Sequence, residues 1–372
     1  MRTFVATTLL LCAAAASAQS AQPVPFDSAR WKLSGDARIE TYMGRPALTM
    51  HRGGAVAEGV SFQDGTVELE MAVGTHRDFA VIALRRTGEG EYEEFYFRTH
   101  KSELPDAVQY CPAWQGVGGW QLFHGPGYTA RATFVRDQWI PVRIVLSGDR
   151  AAVFEGKTPQ PQLVVDHLIR ETRAGSIGLE AVIVDDAHPD ARTAFSNVVL
   201  RPGVVDFDFS KAPPRAIAPV TGLIQRWELS DPFVPASGAI QALPPAKSWR
   251  AVPTLPNGLV VLERHLKRSE DERAAALARV VVDAPADEVR RFRFGYSDEV
   301  TVFLNGKPLF SGDAHYSHDN PRQEGLIGLF QGTVYLPLRK GRNELVLSIA
   351  DVFGGWGVMG QFPEPEGLRI SP

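Results

Sequence analysis

Apolar and polar residues alternate with a period of two in short runs along most of this chain. Val67-Glu68-Leu69-Glu70-Met71-Ala72-Val73 sets apolar against acidic side chains, the pattern of a strand with one face on a core. Phe79 to Leu84 is nearly all apolar, which suits a central strand covered on both faces. Gly88-Glu89-Gly90 then turns the chain into Glu91 to Thr99, so these two runs are expected to pair as a hairpin. Ser147-Gly148-Asp149-Arg150 is a second hairpin signal, between Trp139 to Leu146 and Ala151 to Phe154. Gly175 to Leu179 and Thr193 to Leu200 complete the set. No long amphipathic helix interrupts it. Many short strands with regular turns predict a β-sandwich over residues 25–203.

Residues 204–220 change character. Pro213, Pro214 and Pro219 at this density read as a stiff linker. Strand patterns resume over 221–372. Val260 to Leu266, Arg279 to Asp283, Phe292 to Tyr296 and Val300 to Leu304 read as strands, and Asn305-Gly306 is a type I′ turn signal returning into Lys307 to Phe310. Thr333 to Leu338 and Asn343 to Ile349 follow. Arg268 to Leu277 is charged and Ala-rich, and reads either as a helical turn or as a hairpin tip. The expectation is an all-β protein: two β-sandwich (jelly-roll) domains in tandem.

The first 18 residues stand apart. Arg2 precedes a short apolar run, Phe4 to Ala16, and Ala16-Ser17-Ala18 fits a cleavage site. The run is too short to span a bilayer. This predicts a signal peptide over 1–18, cleaved between Ala18 and Gln19, and a secreted or periplasmic protein. Cys12 falls in that leader, so the mature chain keeps one cysteine, Cys111, expected to be a buried inert thiol. A formal net charge of -4 gives no basic excess for nucleic acid or an anionic membrane surface. No later run is long and apolar enough for a membrane span.

The densest chemistry lies between Glu91 and Thr129. On a strand, Phe95 and Phe97 point one way, into a core, and Glu94, Tyr96, Arg98 and His100 point the other. A face with only a structural role would carry bland polar residues there. Asp106, Gln109, Tyr110, Trp114, Trp120, Gln121 and Tyr128 follow, spaced by Gly and Pro. Flat rings cover the apolar face of a pyranose, and carboxylates, amides and guanidinium pair with its hydroxyls. The competing reading is that these aromatics are core and the Gly and Pro mark turns.

Two resemblances join this reading. Glu93-Glu94-Phe95-Tyr96-Phe97-Arg98, Asp106-Ala107-Val108-Gln109-Tyr110, Trp120-Gln121-Leu122-Phe123 and Phe195-Ser196-Asn197-Val198 resemble the concanavalin A-like lectin/glucanase fold, and more narrowly the 3-keto-disaccharide hydrolase domain family. Val302-Phe303-Leu304-Asn305-Gly306-Lys307 and Leu338-Arg339-Lys340-Gly341-Arg342-Asn343-Glu344-Leu345 resemble a galactose-binding-like jelly roll. Both resemblances imply carbohydrate as the ligand class, by analogy of fold.

No Glu-x-Asp-x-x-Glu run of the kind that glucanases of that fold carry is present. A 3-keto sugar reacts differently: its ketone acidifies the neighbouring C–H, and elimination needs a base, an acid and a group to hold the enolate. Glu94, His100 and Asp106 are the candidate catalytic groups. Tyr96, Arg98, Gln109, Tyr110, Trp114, Trp120 and Gln121 are the candidate substrate-binding ones. The reading is an exported carbohydrate-binding protein, with an oligosaccharide or glycoside as partner. One alternative is a hydrolase or lyase acting on 3-keto-disaccharides at the same face, and another is a structural envelope protein. No cofactor is expected, and no metal: His315-Tyr316-Ser317-His318-Asp319 has no further cluster to complete it, and Asp185-Asp186-Ala187-His188-Pro189-Asp190 lacks calcium-loop spacing.

Overall fold

The computed structural model describes residues 21–27, 29–235, 242–267, 273–317, 320 and 324–372. The expected leader, the first part of the Arg268 to Leu277 stretch, and His318 and Asp319 lie outside the described residues. Among the described residues the protein is all-β, with three short 3-10 turns and no α-helix. No helix there is long and apolar enough to cross a membrane.

The N-terminal half folds as two eight-stranded antiparallel sheets face to face. One runs in the order Leu163–Val165, Arg150–Glu155, Trp139–Ser147, Gly65–Ala72, Thr193–Pro202, Arg45–Met50, Arg38–Tyr42. The other runs Val117–Gly118, Val108–Trp114, Glu91–Arg98, Asp78–Gly88, Ser176–Ile183, Arg52–Ala57, Trp31–Gly35. The predicted alternation places Val67, Leu69, Met71, Ile82, Phe95, Phe97, Ile144 and Phe195 in one buried core between the sheets. Both expected hairpins form, with Ala83 opposite Glu94 and Ile144 opposite Val153.

The C-terminal half is a second sandwich, a seven-stranded sheet on a four-stranded one. Trp227, Phe292, Phe294, Trp356 and Phe362 fill its core. Two expectations need adjustment. Val260 to Leu266 is a strand only over Val260–Val261 and then tightens into the turn Leu262–Arg264, where the buried Glu263 carboxylate accepts the Trp356 N–H. Ala275 opens a ten-residue strand, Ala275–Ala284, paired along its length with Gly341–Ala350.

The segment read as a linker packs on the first sandwich. Phe207 stacks edge-on against Phe154 at 5.7 Å, Asp206 pairs with Arg143 at 2.8 Å, and Arg215 pairs with Asp166 at 3.2 Å. Between the sandwiches lies an apolar junction in which Cys111, Trp114, Leu122 and Phe123 meet Leu259, Val261, Ile327 and Met359.

Candidate functional site

Strand register decides which side chains share the outer face of the second N-terminal sheet. Residues opposite each other in neighbouring strands point the same way. Arg98 lies opposite Phe79, Tyr96 opposite Val81 and Gln109, and Glu94 opposite Ala83 and Cys111. Val81 in turn lies opposite Glu180, and Glu180 opposite Gly54. Glu94, Tyr96, Arg98, Phe79 and Glu180 therefore stand on one surface. Gly54, Gly178 and Ala83 form a small-residue floor between them. The floor has to be small: a Cβ on Gly54 would come within 2.9 Å of Glu180 Cγ, and one on Gly178 within 3.0 Å of Arg86 Cδ.

Glu94 is the most perturbed acid on this face. It is 9% exposed. Burial, and then the charge of Glu180, push its pKa from 4.5 up to about 8, and the Cys111 thiol, Arg98 and Arg86 only partly offset this. At neutral pH it is a carboxylic acid able to give a proton. Gly118 covers it so closely that a Cβ there would sit 2.6 Å from Glu94 Oε2. Glu180 is held at 3.3 Å by Arg86, whose guanidinium lies 4.4 Å from the centre of the Tyr92 ring. Burial raises the Glu180 pKa too, and Arg86 opposes that rise.

The aromatic wall is continuous. Phe79 and Tyr96 stack at 5.5 Å, within 7° of parallel. Arg98 sits 4.6 Å over Tyr96 and 5.7 Å over Trp120. Trp120 meets Tyr316 edge-on at 5.5 Å and Phe353 at 6.2 Å. Tyr316 and Phe353 belong to the second sandwich, so both halves of the chain build this wall. Phe353 remains 57% exposed.

The expected site residues divide. Glu94, Tyr96, Arg98 and Trp120 come together on the face. His100 joins its far end: its Nδ1 lies 3.0 Å from the Asp78 carbonyl, its ring meets Phe79 at 4.8 Å, and burial lowers its pKa so that it is neutral at pH 7.

The other five are engaged with partners of their own, Gln109 among them although it lies on the same face. Gln109 is buried and spends its amide on positioning: Nε2 donates to the Trp120 carbonyl at 2.7 Å and to that of Phe123, and Oε1 accepts from Arg98. Gln121 is fully buried between the sandwiches, donating to Asp298 Oδ1 at 3.0 Å and accepting from Ser297 Oγ at 3.2 Å. Trp114 belongs to the apolar junction, with Arg170 at 5.3 Å over its ring. Tyr110 points to the core side of the sheet, where its hydroxyl donates to Glu93 Oε2 at 2.6 Å and accepts the Ile169 N–H at 2.7 Å. Asp106 sits beyond the strand end with Lys101 at 2.5 Å. Arg98, beside which Asp106 lies, is four strand steps of about 3.3 Å from Glu94, so Asp106 is removed from Glu94 by about 13 Å or more along the strand. The carboxylate that faces Glu94 is Glu180, which the sequence did not single out.

Cys111 is a buried free thiol, its pKa raised by burial and by Glu94. Trp356 is core of the second sandwich, donating to the Ile349 carbonyl at 3.1 Å. Its neighbour Phe353 is the residue of that turn on the wall.

No family model matches the chain, and no curated protein matches it. Solved structures similar to about half of the chain include a carbohydrate-binding module from Bacillus subtilis, with 15% identity over 47% of this chain and 98% of that one, at a TM-score of 0.34. A β-glucanase of Bacillus licheniformis aligns at 11% identity over 48% and 94% of the two chains, with a TM-score of 0.34. A galectin-like protein of unknown function from Bacillus subtilis aligns at 10% identity over 49% and 94%, with a TM-score of 0.36. At these identities and scores none of them bears on what this chain does, and function has to be read from the face itself.

Proposed function

We propose that the outer face carrying Glu94, Tyr96, Arg98, Trp120 and Glu180 is a carbohydrate site on an exported protein. The observation that carries this reading is the pairing of a shared aromatic wall with an uncharged carboxylic acid and an arginine-held carboxylate over a glycine floor. Rings take the C–H face of a sugar. Glu180 and Arg86 offer an acceptor and donors for neighbouring hydroxyls. The second sandwich contributes Tyr316 and Phe353 to the wall, as an accessory domain of galactose-binding-like type.

One observation favours catalysis as the second reading. Glu94 and Glu180 are two carboxyls in electrostatic contact, one held protonated at neutral pH, which is the division of labour that acid–base cleavage of a glycoside requires. In a 3-keto-disaccharide, Glu94 would protonate the leaving oxygen while Glu180 or the neutral His100 takes the acidified proton.

The test is a mass-spectrometric time course of mature protein with a panel of oligosaccharides and 3-keto-disaccharides, followed by calorimetry on the same panel. Turnover by the wild type that is lost in Glu94→Gln and in Glu180→Gln identifies an enzyme. Heat of binding without turnover, lost in Trp120→Ala, identifies a binding protein. No heat and no product from any member of the panel overturns the carbohydrate reading. The intact mass of exported protein, beginning at Gln19, tests export.

A further inference from the structure

At one end of the N-terminal sandwich two loops bring together three side chains that the proposed site does not use. His76 lies in the connection between Gly65–Ala72 and Asp78–Gly88, and Asp185 and His188 lie in the loop that follows Ser176–Ile183. His76 Nδ1 is 2.7 Å from Asp185 Oδ2, and His188 Nδ1 is 2.8 Å from the same oxygen. The two imidazoles face each other at 4.8 Å between ring centres. One ligand atom from each of the three residues lies within 4.8 Å of the others, and among the described residues no other group of three or more His, Cys, Asp or Glu does this.

The backbone shapes the arrangement. Val184 N–H donates to the Arg77 carbonyl at 2.8 Å, which ties the two loops together. The other carboxylate oxygen, Asp185 Oδ1, accepts the Ala187 N–H at 3.2 Å, and His188 N–H returns to the Asp185 carbonyl at 3.2 Å. Asp185 Oδ2 is thereby aimed at both rings.

We infer that His76, Asp185 and His188 form a site for a divalent transition metal of the zinc class, ligated through Nδ1, Oδ2 and Nδ1. Imidazole with one carboxylate suits such an ion, whereas calcium takes oxygen ligands alone. Metal–ligand bonds of about 2.0–2.1 Å at a tetrahedral angle set ligand atoms about 3.3 Å apart. The present 2.7 and 2.8 Å spacings therefore need to open by about half an ångström, which side chains at the surface can supply. Each ring binds as the neutral imidazole with its proton on Nε2, a tautomer reached by exchange with solvent, and the fourth position is open to water or a ligand hydroxyl.

The site joins two loops that the chain places far apart, and it sits beside the proposed sugar face. The residue after His76 is Arg77, whose guanidinium lies 5.5 Å over Phe79 and donates to the Tyr316 hydroxyl at 2.9 Å. A metal here pins the loop that carries this contact between the sandwiches.

The test uses untagged mature protein, stripped with a chelator and titrated calorimetrically with zinc chloride. One equivalent is expected to bind, with affinity reduced at least tenfold in His76→Ala, Asp185→Asn and His188→Ala. His167→Ala removes another surface pair, His167 Nδ1 with Asp149 Oδ2 at 3.0 Å, and is expected to change nothing. Cobalt replacing zinc in the wild type is expected to give the visible absorption of a low-coordinate nitrogen/oxygen site, a readout that does not depend on any variant folding. Wild-type zinc affinity in His76→Ala and His188→Ala overturns the inference, as does calcium binding in preference to zinc, or no cobalt absorption at saturation.

Discussion

Replacing Glu94 by Gln is expected to stabilise the protein at neutral pH while removing its function. The unfolded chain ionises this carboxyl near its ordinary value, 4.5, and the folded chain holds the proton up to about 8. Between those pH values folding takes up a proton, so the native state binds more protons than the unfolded one. Stability from this group then falls as pH rises, by about 1.4 kcal/mol per unit. At pH 7 the accumulated cost is about 3 kcal/mol, the product of that slope and the distance of pH 7 from 4.5. Gln has the same shape and carries no such cost. Its second amide hydrogen lacks a partner beneath Gly118, which returns about 1 kcal/mol. The net expectation is a gain of about 2 kcal/mol at pH 7 that reaches zero at about pH 5 and becomes a loss of about 1 kcal/mol or less at pH 4.5. The assay is urea unfolding of both proteins at pH 4.5, 6, 7 and 8. Other raised acids, Glu155 at about 7 and Asp298 at about 6, titrate in both proteins and cancel in the difference. A variant that is less stable than wild type by the same amount at every pH would refute the reasoning.

Three further substitutions separate the roles of neighbouring residues. Gly118→Ala puts a Cβ 2.6 Å from Glu94 Oε2; displacing that carboxyl is expected to cost about 1–3 kcal/mol in urea unfolding and to abolish sugar binding in calorimetry. Tyr110→Phe strands Glu93 Oε2 and the Ile169 N–H, while Glu93 Oε1 already lacks a partner. It is expected to cost about 1–3 kcal/mol and to leave binding intact, because Tyr110 is on the core side. Gln121→Ala deprives Asp298 Oδ1 of an interdomain donor, with a similar expected loss of about 1–3 kcal/mol. Amide exchange should quicken at Val352 and Phe353, whose N–H groups donate to Asp298 Oδ2 at 2.7 and 2.6 Å.

The period-two pattern carried the architecture because it is local. Burial of Val67, Leu69 and Met71, or of Phe95 and Phe97, follows from alternation on one strand. The same rule correctly set Glu94, Tyr96 and Arg98 on the opposite face. It failed where the chain leaves the strand or meets the other sandwich. Gln121 and Trp114 look like ligands in sequence, but their partners, Asp298 on one side and Leu259, Ile327 and Met359 on the other, lie over a hundred residues away. Tyr110 is a matter of parity: Gln109 and Cys111 share the outer face with Tyr96 and Glu94, so Tyr110 between them turns inward. Glu180 was legible in principle. Ile177, Leu179, Ala181 and Ile183 are buried and alternate with Gly178, Glu180 and Val182, and an acid in such a strand is the same signal that drew attention to Glu94.

What the sequence could not carry is the roof over the face. Gln121 and the Asp298 carboxylate hold the backbone of 352–353, and Gly354 approaches so closely that a Cβ would lie 2.3 Å from Trp120 Nε1. That contact sets Phe353 beside Trp120. The aromatic wall thus exists only when both sandwiches are docked. The groups set directly against the Glu94 carboxyl, the Gly118 backbone and the Cys111 thiol, both belong to the first sandwich. Acid strength and ring coverage are therefore built by different parts of the chain. Loosening the junction should weaken sugar binding while leaving the pH slope due to Glu94 unchanged. Gln121→Ala, measured by the same urea series and calorimetry, checks both halves of that statement: a lost pH slope would mean that the second sandwich, and not the first, desolvates Glu94.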